Sequence, residues 1–421
     1  MTTSPDDRPD PLGDPVVVAA IRAELAAGGG RLTFARFMEL ALYHPDRGYY
    51  LSPERRPGRG GDFLTAPETS PFFGMAIARQ VAESWERLGR PDPFTVREDG
   101  AGVGGLAYDI VAGLSDEAPA ALAALRYRLV EANPHRRAQA MAAMAEVGLD
   151  HLVTAEAPPP AGTPPDPIVG VALANEVADA FPVHRLVWRN GAAREHYVVA
   201  ADAGFDDEEG EPSPAAHAFG LAEALREAGI APADGDAFDV SPAATAWFAG
   251  VGRGLARGYA IAIDYGYRAA DLYRAHRLAG TLRAYRLHTV SDDPFTHVGT
   301  QDLTAHVDFS ALARAGQAVG LTPAGFTTQG EFLAALGMGD FLVRFGAEPD
   351  TAAPDYLAAQ AATLRLIDPG GMGRFGVLAM ARDAPVAPPL RGFAPLWEPS
   401  SFSRQPSALD VGPPRDESER R

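Results

Sequence analysis

The chain has 421 residues, 46% of them hydrophobic, no cysteine and a formal charge of −18 at pH 7. That length and apolar content can bury a large core in two or three structural units, and the missing cysteines exclude a disulfide framework, cysteine-ligated zinc, iron–sulfur chemistry and thiol nucleophiles. The acidic balance argues against nucleic acid as a partner, because proteins that bind it gather positive charge against the phosphates. No apolar run approaches the roughly 18 residues of a membrane span. The start of the chain, with Asp6, Asp7 and Asp10, lacks the basic then apolar order of a secretory signal, so a cytoplasmic location is expected.

Residues 1–15 are polar and proline-rich and are expected to be disordered. Apolar residues at three- and four-residue spacing predict helices over Val16–Ala27 and Thr33–Tyr43, with Thr33 as N-cap. The segment Arg55–Gly61 is an Arg/Gly loop. It leads into Gly61-Asp62-Phe63-Leu64-Thr65-Ala66-Pro67-Glu68-Thr69-Ser70-Pro71, a turn-rich stretch in which Ser70 and Pro71 suit the cap and first position of a helix over Pro71–Leu88. Residues 16–92 thus read as an N-terminal helical region carrying a loop able to cover a cofactor.

From Phe94 the pattern alternates strand and helix. Strands are expected at Phe94–Glu98, Arg126–Glu131, Ile168–Ala174, Tyr259–Asp264 and Phe375–Ala381, with helices at Leu106–Leu114, Pro134–Val147, Asp308–Val319, Glu331–Leu336 and Tyr356–Leu364. Such alternation implies an α/β fold, a parallel sheet covered on both faces, spanning 93–382 with insertions at about 184–250 and 270–340. Arg185–Val187 and Glu195–Ala200 suggest a hairpin, and the acidic run Asp206–Glu211 a solvated loop. From residue 383 to 421, proline-rich polar text reads as a disordered tail.

Between the first strand and its helix lies Glu98-Asp99-Gly100-Ala101-Gly102-Val103-Gly104-Gly105. Glycines at 100, 102 and 104 leave room for a ligand against the backbone, and the next helix aims its free N–H groups there. The letters satisfy both Gly-x-Gly-x-Gly, frequent in S-adenosylmethionine (SAM) enzymes, and the dinucleotide pattern Gly-x-Gly-x-x-Gly. The second strand ends in Glu131, an acid able to accept ribose hydroxyls or to cap the next helix. Asn175, Glu176 and Asp179 follow a buried strand at its carboxyl end, where ligands of open α/β sheets bind.

Joined together, Phe37 to Pro45, Gly48-Tyr49-Tyr50, Gly61-Asp62-Phe63, Thr65-Ala66-Pro67-Glu68, the glycine turn, Leu129-Val130-Glu131, Asn175-Glu176 to Val183, Ile263-Asp264-Tyr265-Gly266, Gly280 to Arg283, Asp302 to Phe309, Thr328 to Leu333 and Gly370 to Phe375 resemble the MidA family of SAM-dependent methyltransferases. The resemblance runs over roughly residues 16–382. It implies a Rossmann-like class I methyltransferase with N-terminal helices and an inserted helical and hairpin subdomain, with SAM as cofactor, held by Gly61, Asp62, Phe63, Glu98, Gly100, Gly102, Gly104, Glu131 and Asn175. Mitochondrial members are complex I assembly factors that look like protein arginine methyltransferases, so a protein arginine on a complex I type subunit is the implied acceptor. Two charges, Arg97 and Asp99, stand where the family has apolar residues and are expected to loosen the site.

Methyl transfer is an in-line displacement in which alignment and a positioned base do the work. Carboxylates are the groups to orient a guanidinium and take its proton, and Glu176 and Asp179, then Glu68, are the catalytic candidates. No metal is required. His44, His184 and His306 read as structural hydrogen-bonding residues. A small-molecule methyltransferase and a non-enzymatic assembly factor remain alternatives, and a homodimer is one candidate assembly.

Overall fold

Along Leu255–Asp264, Tyr259, Ile261 and Ile263 enter one apolar cluster while Ala260 and Ala262 enter another. That period of two is how one strand serves both faces of a buried sheet. The computed structural model describes residues 12–53, 65–160, 162–163, 165–274, 280–287 and 289–395. Its central sheet has seven strands: β1 (Phe94–Asp99), β2 (Leu125–Val130), β3 (Val153–Glu156), β4 (Ile168–Asn175), β5 (Leu255–Asp264), β6 (Thr322–Thr328) and β7 (Gly376–Arg382). Their spatial order is 3-2-1-4-5-7-6. Strands β1 to β5 pair in parallel, and β7 lies antiparallel to both neighbours.

Order 3-2-1-4-5 is that of a doubly wound sheet, but the dinucleotide fold continues with a parallel sixth strand. Here an antiparallel β7 is wedged between β5 and β6, which removes the dinucleotide reading of the glycine turn. Two strands of this sheet escaped the sequence analysis, and both are its edges. β3 is four residues long, and β6 carries Pro323 and Gly325, residues a sheet tolerates at its margin because that side needs no ladder donor.

Helices Pro71–Arg87 and Gly105–Glu117 cover one face through Phe73, Ile77, Leu106 and Ile110. Pro242–Arg253 and Phe309–Ala318 cover the other through Phe248 and Leu312. Ser70 caps the first of these helices, with Pro71 at its opening position. This helix, grouped by sequence with the N-terminal region, therefore belongs to the central layer.

The remaining N-terminal region joins the insertions. Arg31–Thr33, His184–Arg189, Ala192–Ala201, Gly204–Gly210 and Ala237–Val240 form an antiparallel sheet. Helices Pro15–Ala27 and Phe34–Tyr43 share a core with its Val198 and Phe205 and with Leu282, Ala284, Val298 and Leu303 from the second insertion. Asp14 caps the first of them. The acidic run is not a loop. It is the edge strand Gly204–Gly210, its carboxylates partnered by Arg31 at Glu208, Arg189 at Glu209 and a hydrogen bond between His196 and Asp207; charged edges of this kind also resist pairing with other chains.

Residues 384–395 depart from the disordered tail expected of them. Leu390 is fully buried, Phe393 packs edge-on against Phe332, and the Arg87 guanidinium donates to the carbonyls of Pro388 and Pro389. Three apolar or backbone anchors outweigh the polar composition that suggested disorder. The remainder of the tail, 396–421, lies outside the described residues.

Arg97 and Asp99 sit on one face of β1, two residues apart, with Arg97 Nη2 2.6 Å from Asp99 Oδ1 and both side chains about 95% buried. The two departures from the family pattern compensate one another instead of loosening the strand. Arg97 Nε and Asp99 Oδ2 have no hydrogen-bond partner, so the pair is incompletely satisfied. Such a pair is costly to break and cheap to replace whole. Asp99→Leu alone should therefore lose about 3–5 kcal/mol in urea denaturation, while Arg97→Val with Asp99→Leu should match or exceed the parent chain, by up to about 4 kcal/mol.

Candidate functional site

β1, β2, β4 and β5 point their carboxyl ends to the same edge, and these ends carry Glu98 and Asp99, Val130 followed by Glu131, Asn175, and Asp264. Gly100, Gly102 and Gly104 all have left-handed φ, at 74°, 56° and 84°. At Gly100 a Cβ would strike Val177 Cγ2 at 2.4 Å, whereas at Gly102 it would meet nothing within 4 Å. The first glycine is needed for packing, then, and the second for conformation, beside open space. Helix Gly105–Glu117 begins immediately after, its first N–H groups facing the turn.

Glu131 is buried, and its carboxylate accepts from Gly102 N at 2.9 Å and Asn133 N at 2.8 Å. Asn133 in turn caps helix Pro134–Glu146 and donates through Nδ2 to the carbonyl of Tyr50 at 2.8 Å, tying the N-terminal region to the strand edge. Glu98 accepts from the Tyr127 hydroxyl at 2.6 Å, and burial pushes it up to about 8.

After β4 the chain turns sharply. Glu176 takes φ of 52°, a left-handed conformation that non-glycine residues hold only under external constraint. The constraint is Asp264 at the end of β5, whose Oδ2 accepts from Val177, Ala178 and Asp179 N–H at 3.0, 2.7 and 3.3 Å. Glu176 Oε1 accepts from Ala66 N at 2.8 Å and Asn175 Nδ2 at 3.0 Å. Burial, against the pull of those donors and helped by Asp264 and Glu68, pushes Glu176 up to about 7.

Asp179 is 7% exposed and its carboxyl is held well above the ordinary range, first by burial and then by Asp264, Asp302 and Glu176. Asp302 is fully buried, opposite Tyr285 on neighbouring antiparallel strands. Tyr43 and Tyr50 stack at 5.5 Å and feel Asp179 and Asp302; Tyr265 feels Glu176 and Asp179. Tyr43 donates to the Ala180 carbonyl at 3.1 Å and Ala305 N to that of Asp179 at 3.0 Å, so helix Phe34–Tyr43 and the second insertion both pack against this turn. Four carboxylates and the surrounding phenols thus act on one another's titration at this edge.

Of the residues singled out from sequence, Glu98, Gly100, Gly102, Gly104, Glu131, Asn175, Glu176 and Asp179 meet along this edge. Gly61, Asp62 and Phe63 lie outside the described residues. Glu68 is turned back on its own helix, where its Oε2 accepts from Thr65 N and Oγ1 at 3.2 and 3.0 Å. His184 hydrogen-bonds the buried Glu195 at 2.6 Å, in the inserted sheet. Sequence reasoning missed Asp264, Asp302 and the tyrosines as site residues. Asp264 was legible, since it ends a buried apolar strand as Asn175 does; Asp302 and the tyrosines carry no local signal.

A doubly wound sheet with an antiparallel seventh strand, a glycine turn after β1 and an acid after β2 defines a class I SAM-dependent methyltransferase. Residues 76–327 match the family model described as "Putative S-adenosyl-L-methionine-dependent methyltransferase". The chain is 27% identical over 396 residues to protein arginine methyltransferase NDUFAF7, mitochondrial, of Xenopus tropicalis, covering 87% of each, and 28% identical over 314 residues to its Drosophila melanogaster homologue, covering 69% of this chain and 68% of that one. A solved methyltransferase-like structure from Burkholderia thailandensis, bound to S-adenosyl-homocysteine, superposes with a TM-score of 0.80 at 34% identity, covering 90% of this chain and 94% of that one. The chain belongs to this family of SAM-dependent methyltransferases, the one its sequence blocks resemble.

The residues present fit the cofactor. Open space stands above Gly102, Glu131 offers a carboxylate for a ribose diol beside it, and Asn175 Oδ1 is a buried acceptor with no partner, ready for an N–H donor. Glu131→Ala should weaken SAM binding by about 1.5–3 kcal/mol, the worth of hydrogen bonds to a charged group, as read by calorimetry on the folded variant.

The raised carboxyls also set a pH dependence. Glu98 at about 8 and Glu176 at about 7 keep protons in the folded chain that the unfolded chain gives up near its ordinary 4.5. Folded-state values above unfolded ones confer stability that is complete below pH of about 4.5 and is lost as pH rises through about 8. The urea midpoint of the ligand-free protein should accordingly fall from pH of about 5 to about 8, and Glu98→Gln should flatten that slope.

Proposed function

We propose that this enzyme methylates arginine side chains of a protein partner. The observation that carries the reading is the group of buried Asp179, Asp264 and Asp302 with half-buried Glu176 beside the glycine turn, in which the groups acting most strongly on Asp179, after burial, are other carboxylates. Burying several acids together is expensive, and a guanidinium, always charged and rich in forked donors, is the protein cation best matched to several carboxylates at once. The relatives named protein arginine methyltransferase support the same acceptor. A complex I type subunit is the partner to try first, following the sequence resemblance.

Bound SAM would supply an electrophilic methyl on its sulfonium. The residues of the chain do the rest. Asp179 and Asp302 hold the guanidinium by charge, and the tyrosines limit its orientation and exclude water. Glu176, kept near neutral-pH titration by burial, takes the proton the guanidinium nitrogen loses as it gains the methyl. The strained backbone at Glu176 fixes the direction of that carboxylate before the acceptor arrives.

Intact-mass analysis of complex I type subunits and of a cell extract, each incubated with SAM and enzyme, should show additions of one or two methyl groups that fragment to arginine. Label found solely in small molecules would overturn the protein acceptor. Glu176→Gln should retain SAM affinity and lose about 10²- to 10⁴-fold in turnover, the usual contribution of a positioned base; turnover near that of the parent enzyme would move the role to Asp179.

A further inference from the structure

Glu68 was a candidate to touch the acceptor, yet its carboxylate oxygen is occupied by Thr65 N and Thr65 Oγ1. What the arrangement does is hold the next residue. The helix that starts here spans only Ala66–Thr69, too short to be stable by its own hydrogen bonds. It is fastened by that clasp at its start and by Thr69 Oγ1 donating to the Thr65 carbonyl at 3.0 Å, and it runs directly into the Ser70 cap of the long helix on the central sheet. The first N–H groups of any helix lack partners within it. Here Thr65 N is taken by Glu68, and Ala66 N, on a fully buried residue, is taken by Glu176 at 2.8 Å.

We infer that Glu68 and Thr65 are positioning residues for methyl transfer: their clasp fixes the Ala66 N–H on the Glu176 carboxylate, sets where that carboxylate points and favours its ionised form. The inference rests on Glu176 being the base. Asn175 Nδ2 is the other donor to Glu176. The titratable groups facing it are Glu68 from the short helix, Asp179 from its own turn, and Asp264 and Tyr265 from the end of β5, all acidic, so the two N–H donors are what favour its charge. Losing the clasp frees Ala66 to drift and leaves Glu176 one donor among acids, which raises its titration midpoint.

The test is an infrared titration of the protein with carbon-13 glutamate, in which the difference from Glu176→Gln isolates the Glu176 carboxyl band without any acceptor. Glu68→Ala should raise the midpoint by about one pH unit, the scale of one hydrogen bond to a charged group. Thr65→Val, which keeps the backbone N–H, should raise it less, and Glu68→Gln, which can still accept but removes a charge that raises Glu176, should return it to the parent value or slightly below. The acid limb of turnover should move with the midpoint while SAM affinity holds. An unmoved midpoint in folded Glu68→Ala and Thr65→Val overturns the clasp even where Glu176 proves to be the base. Parent-like turnover in Glu176→Gln overturns the base instead, with the midpoint shifts intact.

Discussion

One buried carboxylate holds the turn on which the chemistry is built. Asp264 gathers four backbone N–H groups, three from Val177 to Asp179 and one from Tyr265 at 2.7 Å, and so locks the ends of β4 and β5 to each other. The lock is what lets Glu176 keep a left-handed backbone, because the residues after it have no freedom to relax the strain. Asn175, Glu176 and Asp179 are thereby presented at fixed angles to the glycine turn one strand away.

The electrostatics of the edge run against stability. Burial and mutual repulsion raise Glu98, Glu176 and Asp179 together, and the folded chain tolerates this because hydrogen bonds from Tyr127, Ala66 and Asn175 offset part of the cost. Arginines also act on this edge, Arg136 on Tyr43 and Arg283 and Arg374 on Tyr285.

The same logic explains why the chain interrupts its sheet twice. The central layer supplies the glycine turn and the acids at the strand ends, as in any doubly wound fold. Tyr43 and Tyr50 come from the N-terminal region, and Tyr285 and Asp302 from the second insertion, and these pieces share one apolar core, including Phe37, Leu282, Ala284 and Leu303, that presses them against the strand edge. The glycine turn and the strand-end acids are therefore a property of the sheet, and the tyrosines and Asp302 beside them a property of what is added to it.

The sequence by itself determined the layer. Period-two strands, period-3.6 helices, the glycines at 100, 102 and 104, and acids directly after strands are local signals, and they placed Glu98, Glu131, Asn175, Glu176 and Asp179 on one edge because strand polarity and the right-handed crossover leave little choice. Edge strands β3 and β6 stayed hidden, since half-exposed residues, Pro323 and Gly325 carry no alternation. Only the tertiary structure decided that Arg97 and Asp99 pair with each other, that the acidic run is a paired edge strand, and that Glu68 faces its own helix. Each depends on which side chain lies opposite, and an electrostatic partner 2 or 200 positions away leaves the same local letters.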